Sequence, residues 1–425
     1  KINDTQDVKG IAGRASLPTV LENAGAENAD MVIAVTRNDE TNMIVCQLAS
    51  TLFNVSKKIA RIRTKDFLEG KWGKLYNKSN IPIDVIISPE IEVAKSLYRR
   101  LEAPGALDNV PFGNNKVKML EISIEKNCPI KNIPLKKLTE KFPDFKAKVI
   151  GALRKEKFIY LKKDDQMLED DNVYVVISSD QLNPILKAFG HEEKIAKNVL
   201  IIGGGNIGLQ LAKMLEENFE DVRVKLIEKN KQRAEEIANE LSSSIVINGD
   251  ALDEDILKEA NLEGSETVLA LTNDDEVNIM SSLMAKRLGV RQVITLITKP
   301  AYVDLVQGGE IDVAISPQQA TTGSVLSHVR KADVARVHSL RRGAAEAMEA
   351  IAHGDISSSH VVGRRISELK LPAGVTIGAV VRGEEVLIAH DDVIVASDDH
   401  VILFMIDKSK VRAVERLFQV SMTFI

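Results

Sequence analysis

Between Val199 and Glu228 the chain changes its hydrophobic period three times. Val199, Leu200, Ile201 and Ile202 form an unbroken apolar block, the pattern of a strand buried on both faces. Gly203, Gly205 and Gly208 interrupt it, and Leu209, Leu211, Ala212 and Leu215 then recur along one side of a helix. A second short strand pattern, VRVKLIE, closes on Glu228. The runs SIVINGD, TVLALT, QVITLIT and DVAISP continue the alternation with helical stretches, which predicts βαβ units and a parallel sheet covered on both faces. Two other regions, 116–189 and 357–418, read differently. Short β-type runs such as KVKMLEISI, AKVIGALR and VYVVIS are separated by charged or glycine-bearing turns and precede a helix, SDQLNPILKAF, which predicts small α+β domains. The segment from Gln318 to His353 has a helical pattern, with Val325, Leu326 and Val329 at turn spacing. It predicts a long arm that packs on a partner, crosses between lobes, or serves as a crossover within one domain.

The pattern also repeats. ADMVIAVTRNDETNM (29–43) matches SETVLALTNDDEVNIM (265–280), with Thr36 lying 236 positions before Thr272. The same offset pairs Gly13 with Gly249, Leu21 with Leu257 and Ala24 with Ala260. IDVIISP (83–89) matches IDVAISP (311–317) at an offset of 228, so the intervening loop is longer in the first copy. Weaker likeness joins IGALRKEK (150–157) to IGAVVRGEE (377–385) and EDDNVYVVIS (169–178) to SDDHVILFMI (397–406). A period above 200 residues is too long for a solenoid unit and implies a duplicated two-domain module. The second copy has 50 positions between Val199 and Gly249, whereas 12 separate Lys1 from Gly13. As given, the first copy has no opening strand, glycine turn or leading acid ahead of Gly13, and its nucleotide site is expected to be incomplete.

The order strand, G-x-G-x-x-G, helix, strand-ending acid is that of a dinucleotide site. The first glycine permits the tight turn, the second lets backbone approach a pyrophosphate, and the third lets helix and strand pack closely. Backbone N–H groups and the positive end of the helix dipole then face the phosphates. Glu228 can accept hydrogen bonds from a ribose diol and would repel a 2′-phosphate, which favours NAD or NADH over their phosphorylated forms. The plainer reading is a glycine-rich turn that binds nothing.

Composition narrows the classes. A length of 425 residues with 44% hydrophobic residues suits two to four domains. A net charge of −5, one Trp and 4% aromatics give neither the basic surface nor the stacking platforms of a nucleic-acid binder. Cys46 and Cys128 stand far apart, as suits a reducing compartment. No apolar run reaches the ~18 residues of a membrane span. The histidines 328, 338, 353 and 360 lack metal-ligand spacing. G-x-S-x-G, Cys–His and P-loop constellations are missing.

The longest distinctive words are GGGNIG (203–208), TNDDEVNIM (272–280), YVDLVQG (302–308), SPQQAT (316–321), LSHVRKAD (326–333) and HSLRRG (338–343). With the tandem layout, they resemble the TrkA family, whose modules belong to the wider group of RCK or KTN domains that regulate potassium channels and transporters. The resemblance covers essentially the whole chain. It implies a Rossmann-like N-lobe at 1–110, a small α+β C-lobe at 111–194, a second N-lobe with a helical crossover at 195–345 and a second C-lobe at 346–425. It implies NAD or NADH as ligand, with ATP or ADP able to compete at the same turn. It also implies a channel-like membrane partner that translocates potassium (TrkH or TrkG type), homodimers or higher assemblies, and a place on the cytoplasmic face of the inner membrane.

Carried onto matching positions, Gly203, Gly204, Gly205, Asn206, Ile207 and Gly208 would hold the pyrophosphate and Glu228 the ribose. Asp250 and Ala251, in the NGDA turn, would lie on the adenine side, and Thr272 and Asn273 at the carboxyl edge of the sheet. In the first copy Thr36 and Arg37 match that edge, and Arg61 looks like a phosphate contact. The copies depart at Gly13-Arg14 against Gly249-Asp250, and at Arg61, opposite which the second copy is expected to carry Thr295. The acids Asp274, Asp275 and Glu276 read first as a helix cap and only second as a cation or ligand site. The basic words at 330–333 and 338–342 read first as a solvated face and second as a contact with a membrane partner. An NAD-dependent oxidoreductase is the alternative function, and it would need a proton donor near the nicotinamide.

Overall fold

The computed structural model describes residues 7–68, 74–77, 79–141, 146–155, 157–306, 310–329, 333–340 and 345–420. They form two compact units, Lys1–Glu92 and Val93–Ile425.

In the first unit, α1 (Pro18–Asn23), β1 (Met31–Ala34), α2 (Asp39–Thr51), β2 (Lys57–Arg61) and β3 (Val85–Ile87) build a parallel sheet of order β1-β2-β3. Helix α3 (Pro89–Glu102) ends the unit and begins the next. Its Val93, Ala94, Leu97 and Leu101 are buried in the same core as Val199, Ile201 and Leu209.

The second unit carries the complete Rossmann-type sheet. Its elements are β9 (Asn198–Ile202), α6 (Asn206–Asn218), β10 (Arg223–Glu228), α7 (Lys231–Glu240), β11 (Ile245–Asn248), α8 (Glu254–Glu259), β12 (Thr267–Ala270), α9 (Asp275–Arg287), β13 (Gln292–Leu296), α10 (Pro300–Val306), β14 (Val313–Ile315) and α11 (Pro317–Val329). All strand pairs are parallel, in the order β11-β10-β9-β12-β13-β14. The apolar block at 199–202 takes a central strand, paired with β10 on one side and β12 on the other and buried at all four positions. The expected doubly wound α/β fold is present, and β1-β2-β3 repeats β12-β13-β14.

Two five-stranded antiparallel sheets complete this unit. The first joins β4 (Ala106–Phe112), β5 (Val117–Ser123), β6 (Ala147–Arg154), β7 (Lys157–Ile159) and β8 (Asn172–Ser178) in the order β4-β5-β8-β6-β7, with helices α4 (Leu135–Lys141) and α5 (Leu182–Ala188). The second joins β15 (Val334–Leu340), β16 (Ala345–Ile351), β17 (Val375–Arg382), β18 (Glu385–Ile388) and β19 (His400–Met405) in the order β15-β16-β19-β17-β18, closed by α12 (Val411–Phe418). Register, bulges and ion pairs repeat at the offset of 228: Arg154 grips Asp171 with two bonds of 2.8 and 2.7 Å, and Arg382 grips Asp399 with bonds of 2.9 and 2.8 Å. The sheets share one core. Phe112, Met119, Tyr174 and Val176 of the first meet Ala347, Ala379, Val381 and Phe404 of the second, and Tyr174 stacks on Phe404 at 5.5 Å.

Here the sequence expectation fails in one place. Only Pro317–Val329 of the supposed helical arm is helix, while Val334–Leu340 and Ala345–Ile351 are strands of the last sheet. The sheets therefore start at 106 and 334, ahead of the boundaries expected at 110/111 and 345/346. The basic residues Arg330, Lys331, Arg341 and Arg342 lie outside the described residues. Among the described residues no helix is long and apolar enough to cross a membrane.

Candidate functional site

The strand order reverses between β9 and β12, and the carboxyl ends of these two strands are where open α/β sheets bind ligands. Gly203 turns the chain out of β9 with φ +108°, a conformation that a side chain would strain. A Cβ there would also stand 2.9 Å from the Leu271 carbonyl carbon and the Thr272 nitrogen. Gly208 passes directly against the Gly203 carbonyl, and Gly204 is hemmed in by Ile237 and Glu228. Gly205 is different. Its φ is −65°, which any residue adopts, and nothing lies within 4 Å of where its Cβ would be. The packing of the protein gives no reason for glycine at this position. A ligand lying against the backbone would give one.

Helix α6 starts immediately after Gly205 and has no side-chain cap. Its first-turn N–H groups are therefore available to an anion, and the helix dipole adds to the attraction. Asn206 is exposed beside them, whereas Ile207 packs into the core and can offer only its backbone.

Glu228 sits at the end of β10, as expected, but its carboxylate is already engaged. Oε2 accepts the Gly204 N–H at 2.8 Å and Oε1 accepts the Asn230 N–H at 2.7 Å. The Gly204 carbonyl in turn accepts from Arg233 Nε at 3.1 Å. The Gly204 amide thus braces the acid instead of facing the phosphate space. Each carboxylate oxygen keeps a lone pair for a sugar hydroxyl. Asp250 is bound to Lys229 at 2.8 Å and accepts the Leu252 N–H at 3.0 Å; the Lys229 contact leads in holding its carboxyl below the usual range. Ala251 is buried beside it.

Thr272 forms the opposite wall, and a buried side chain that the sequence reading passed over holds it there. Asn278 Oδ1 accepts the Thr272 N–H at 2.9 Å and its hydroxyl at 2.7 Å. Asn278 Nδ2 donates to the Thr272 and Leu296 carbonyls, each at 3.0 Å. Asn273 follows on the surface. The neighbouring acids are structural. Asp274 caps α9 by accepting the Val277 N–H at 3.0 Å. Asp275 is buried and accepts from the Thr298 N–H at 2.9 Å, the Thr298 hydroxyl at 3.0 Å and the Lys299 N–H at 2.9 Å. Glu276 pairs with Lys299 at 2.8 Å, and that contact leads in pulling its carboxyl down to about 2. Among the described residues no cluster of His, Cys, Asp or Glu could hold a metal ion.

The first unit repeats this edge with different charges. Asn42 accepts the Thr36 N–H at 2.8 Å and hydroxyl at 2.7 Å, and donates to the Thr36 carbonyl at 3.2 Å and the Arg61 carbonyl at 2.8 Å. Asp39 accepts the Arg63 and Thr64 N–H groups at 2.9 and 2.8 Å. Arg61 donates to the Thr36 carbonyl at 2.6 Å, and Arg63 donates to the Arg37 carbonyl. Three arginines therefore meet at this edge.

The strand register corrects one expected equivalence. Ala34 pairs with Ala60 and Ala270 with Thr295, so Thr295 corresponds to Ala60, and Arg61 corresponds to Leu296. The cause is a connection one residue shorter, 288–291 against 52–56. Thr295 is buried against Ser282 at 2.6 Å and does not face the edge. Asn42 and Asn278 were findable: both lie inside the repeated TRNDETN and TNDDEVN words, 236 positions apart.

Comparison with known proteins places the chain's domains in a family. Residues 2–89 and 199–317 match the TrkA-N domain family, and residues 356–419 match the TrkA-C domain family. The Trk system potassium uptake protein TrkA of Halomonas elongata is 49% identical over 418 residues, covering 98% of this chain and 90% of that protein. The protein of the same name from Vibrio alginolyticus is 47% identical, covering 100% and 92%. Among solved structures, the GsuK RCK domain matches with a TM-score of 0.57 at 18% identity, covering 98% of this chain and 86% of that one. The GsuK channel bound to NAD matches at 0.56 and 17%, covering 98% and 72%. These last two establish likeness of fold. The unmatched sheet at 106–178 has the same strand order as the sheet whose last three strands lie within the TrkA-C match, so the structure contains a C-lobe in each module.

Proposed function

The chain belongs to the TrkA family of Trk system potassium uptake proteins, and from that premise we propose that it senses NAD or NADH and gates a membrane potassium-translocating subunit. The relatives carry the name of an uptake protein, not of an oxidoreductase.

One observation carries the ligand reading: Gly205 lies open above an uncapped helix end, while its neighbouring glycines are required by packing. A diphosphate fits that space, with the amides at Gly205, Asn206 and Ile207 as donors. Glu228 receives the ribose diol, Asp250 and Ala251 border the adenine end, and Thr272 and Asn273 close the opposite wall. The NAD-bound GsuK channel, a protein of the same fold, supports this ligand class. ATP or ADP can compete at the same turn. At the first edge Thr36, Arg37 and Arg61 offer cations to phosphate groups.

Gating follows from differential binding. A nucleotide bridging the β9 turn and the β12 turn favours the arrangement in which both approach it, and the free-energy difference between arrangements biases the partner. The partner is a TrkH- or TrkG-type subunit met at the cytoplasmic face of the inner membrane. The regulator acts as a homodimer or larger ring, since duplicated modules pair within or between chains.

The test is NADH titration by fluorescence on the full chain with Gly205→Val and Glu228→Ala. Valine suits the backbone angles of position 205 and fills the open space, so binding should vanish from a normally folded protein. Unchanged affinity in Gly205→Val removes the proposal. Turnover of hydroxy acids followed at 340 nm would instead favour an oxidoreductase.

A further inference from the structure

Asn278 is fully buried, yet every hydrogen-bonding position of its amide is used. Its carboxamide lies alongside Thr272 as a neighbouring peptide would, accepting from the N–H and donating to the carbonyl of the same residue. The remaining donor reaches Leu296 at the end of β13. One side chain on α9 therefore joins the ends of two strands. The Thr272 nitrogen that it holds also stands, with the Leu271 carbonyl carbon, against the Gly203 turn, 2.9 Å from the ideal Cβ position.

The first module builds the same device. Asn42 is equally buried, and its four bonds match those of Asn278 within 0.2 Å. The side chains around the two clasps differ in charge and size, with Arg37 and Arg61 in one module and Asn273 and Leu296 in the other. The clasp has stayed the same while its surroundings diverged, which ties it to the edge itself and not to either set of neighbours.

We infer that Asn278 is a positioning residue of the crevice, and Asn42 its counterpart: the buried amide sets the Thr272 peptide against the glycine turn and links it to β13 and α9. The inference rests on the nucleotide reading above for its effect on binding, and on geometry alone for its effect on the turn. A side chain serving only to staple helix to strand would affect folding and leave affinity among folded molecules unchanged.

Asn278→Asp tests the difference. It keeps the acceptor for the Thr272 N–H but loses both donors and places a carboxylate against two carbonyls. At neutral pH NADH affinity should fall about ten- to a hundred-fold. On acidification the buried carboxyl takes up a proton, regains one O–H donor, and affinity should recover toward that of the unaltered chain, whose own affinity stays flat over the same range. Asn278→Ala should bind weakly at every pH. Hydrogen exchange of the ligand-free proteins supplies a second readout. The Thr272 amide should exchange fast in Asn278→Ala and remain protected in Asn278→Asp. Asn278→Asp with full affinity at neutral pH, or with a loss that follows unfolding and shows no acid recovery, overturns the inference. Should the unaltered chain not bind NADH, the nucleotide reading fails. Slow exchange of Thr272 in Asn278→Ala would then overturn the positioning role separately.

Discussion

The two sheet edges share a frame and differ in what they present. In both, a threonine after the strand is clasped by a buried asparagine, and a buried aspartate holds the end of the next strand. At the first edge Arg37, Arg61 and Arg63 surround that frame. At the second the equivalent positions hold Asn273, Leu296 and Thr298, and the attraction for an anion comes from the open backbone at Gly205 and the end of α6. The comparison separates scaffold from specificity. The buried asparagine and aspartate are repeated, and the more exposed side chains around them have diverged. The same frame thus carries arginine side chains at its first edge and uncharged residues at its second.

The sharpest way to break this comparison is Gly205→Val, which should leave no saturation up to about 1 mM NADH while the thermal midpoint stays put. A shifted midpoint would mean that the glycine serves the fold. Next come the shared aspartates. Asp275→Ala leaves two part-buried N–H groups and a hydroxyl without their acceptor, and should cost about 1–2 kcal/mol in denaturant unfolding. Asp39→Ala should cost a similar amount, and a large cost at one edge alone would show that the frames are not equivalent. A smaller effect is expected from Arg61→Leu, which gives the first edge the residue found at the second. Binding of ATP or ADP there should weaken about ten-fold and lose part of its salt dependence, with NADH affinity unchanged.

The smallest effect is on pH dependence. Burial would raise the Glu216 carboxyl, but the Ser244 hydroxyl and the amides of Ser242, Ser243 and Ser244 outweigh it and bring it to about 2. A depressed carboxyl stabilises the fold above its ordinary value of 4.5 and loses that contribution as pH falls toward 2. Urea midpoints should therefore drop over that window, and Glu216→Gln should flatten the drop. An unaltered profile would remove Glu216 as the source.

Much of this was readable beforehand, for identifiable reasons. The glycine turn, the acid ending β10 and the duplication are local words or fixed offsets. Asn278 is marked only by its place in the repeated word, since its partners, the Thr272 hydroxyl apart, are backbone atoms 6 and 18 positions away. The bracing of Glu228 by Gly204 is likewise a contact between main chain and side chain, which spacing does not reveal. The segment 345–351, AEAMEAI, reads as helix because alanine, glutamate and methionine favour one. It forms a strand because Met348 and Ala350 face one core while Ala345 and Ala347 face the opposing sheet, where small side chains let the layers close. Tertiary packing overrode propensity there, and one residue missing from a turn hid the true partner of Arg61.

The shared core of the two C-lobe sheets carries a consequence for biogenesis. Tyr174 leaves the ribosome some 230 residues before Phe404, the ring that covers it. For that interval the first lobe exposes Phe112, Met119 and Val176 to water as a bare apolar wall. Closing it depends on a contact between distant parts of the chain, the slow and aggregation-exposed kind. Until synthesis is nearly complete the nascent chain should therefore require a chaperone, and a protein halted before Val375 should be captured by one instead of accumulating as a free half.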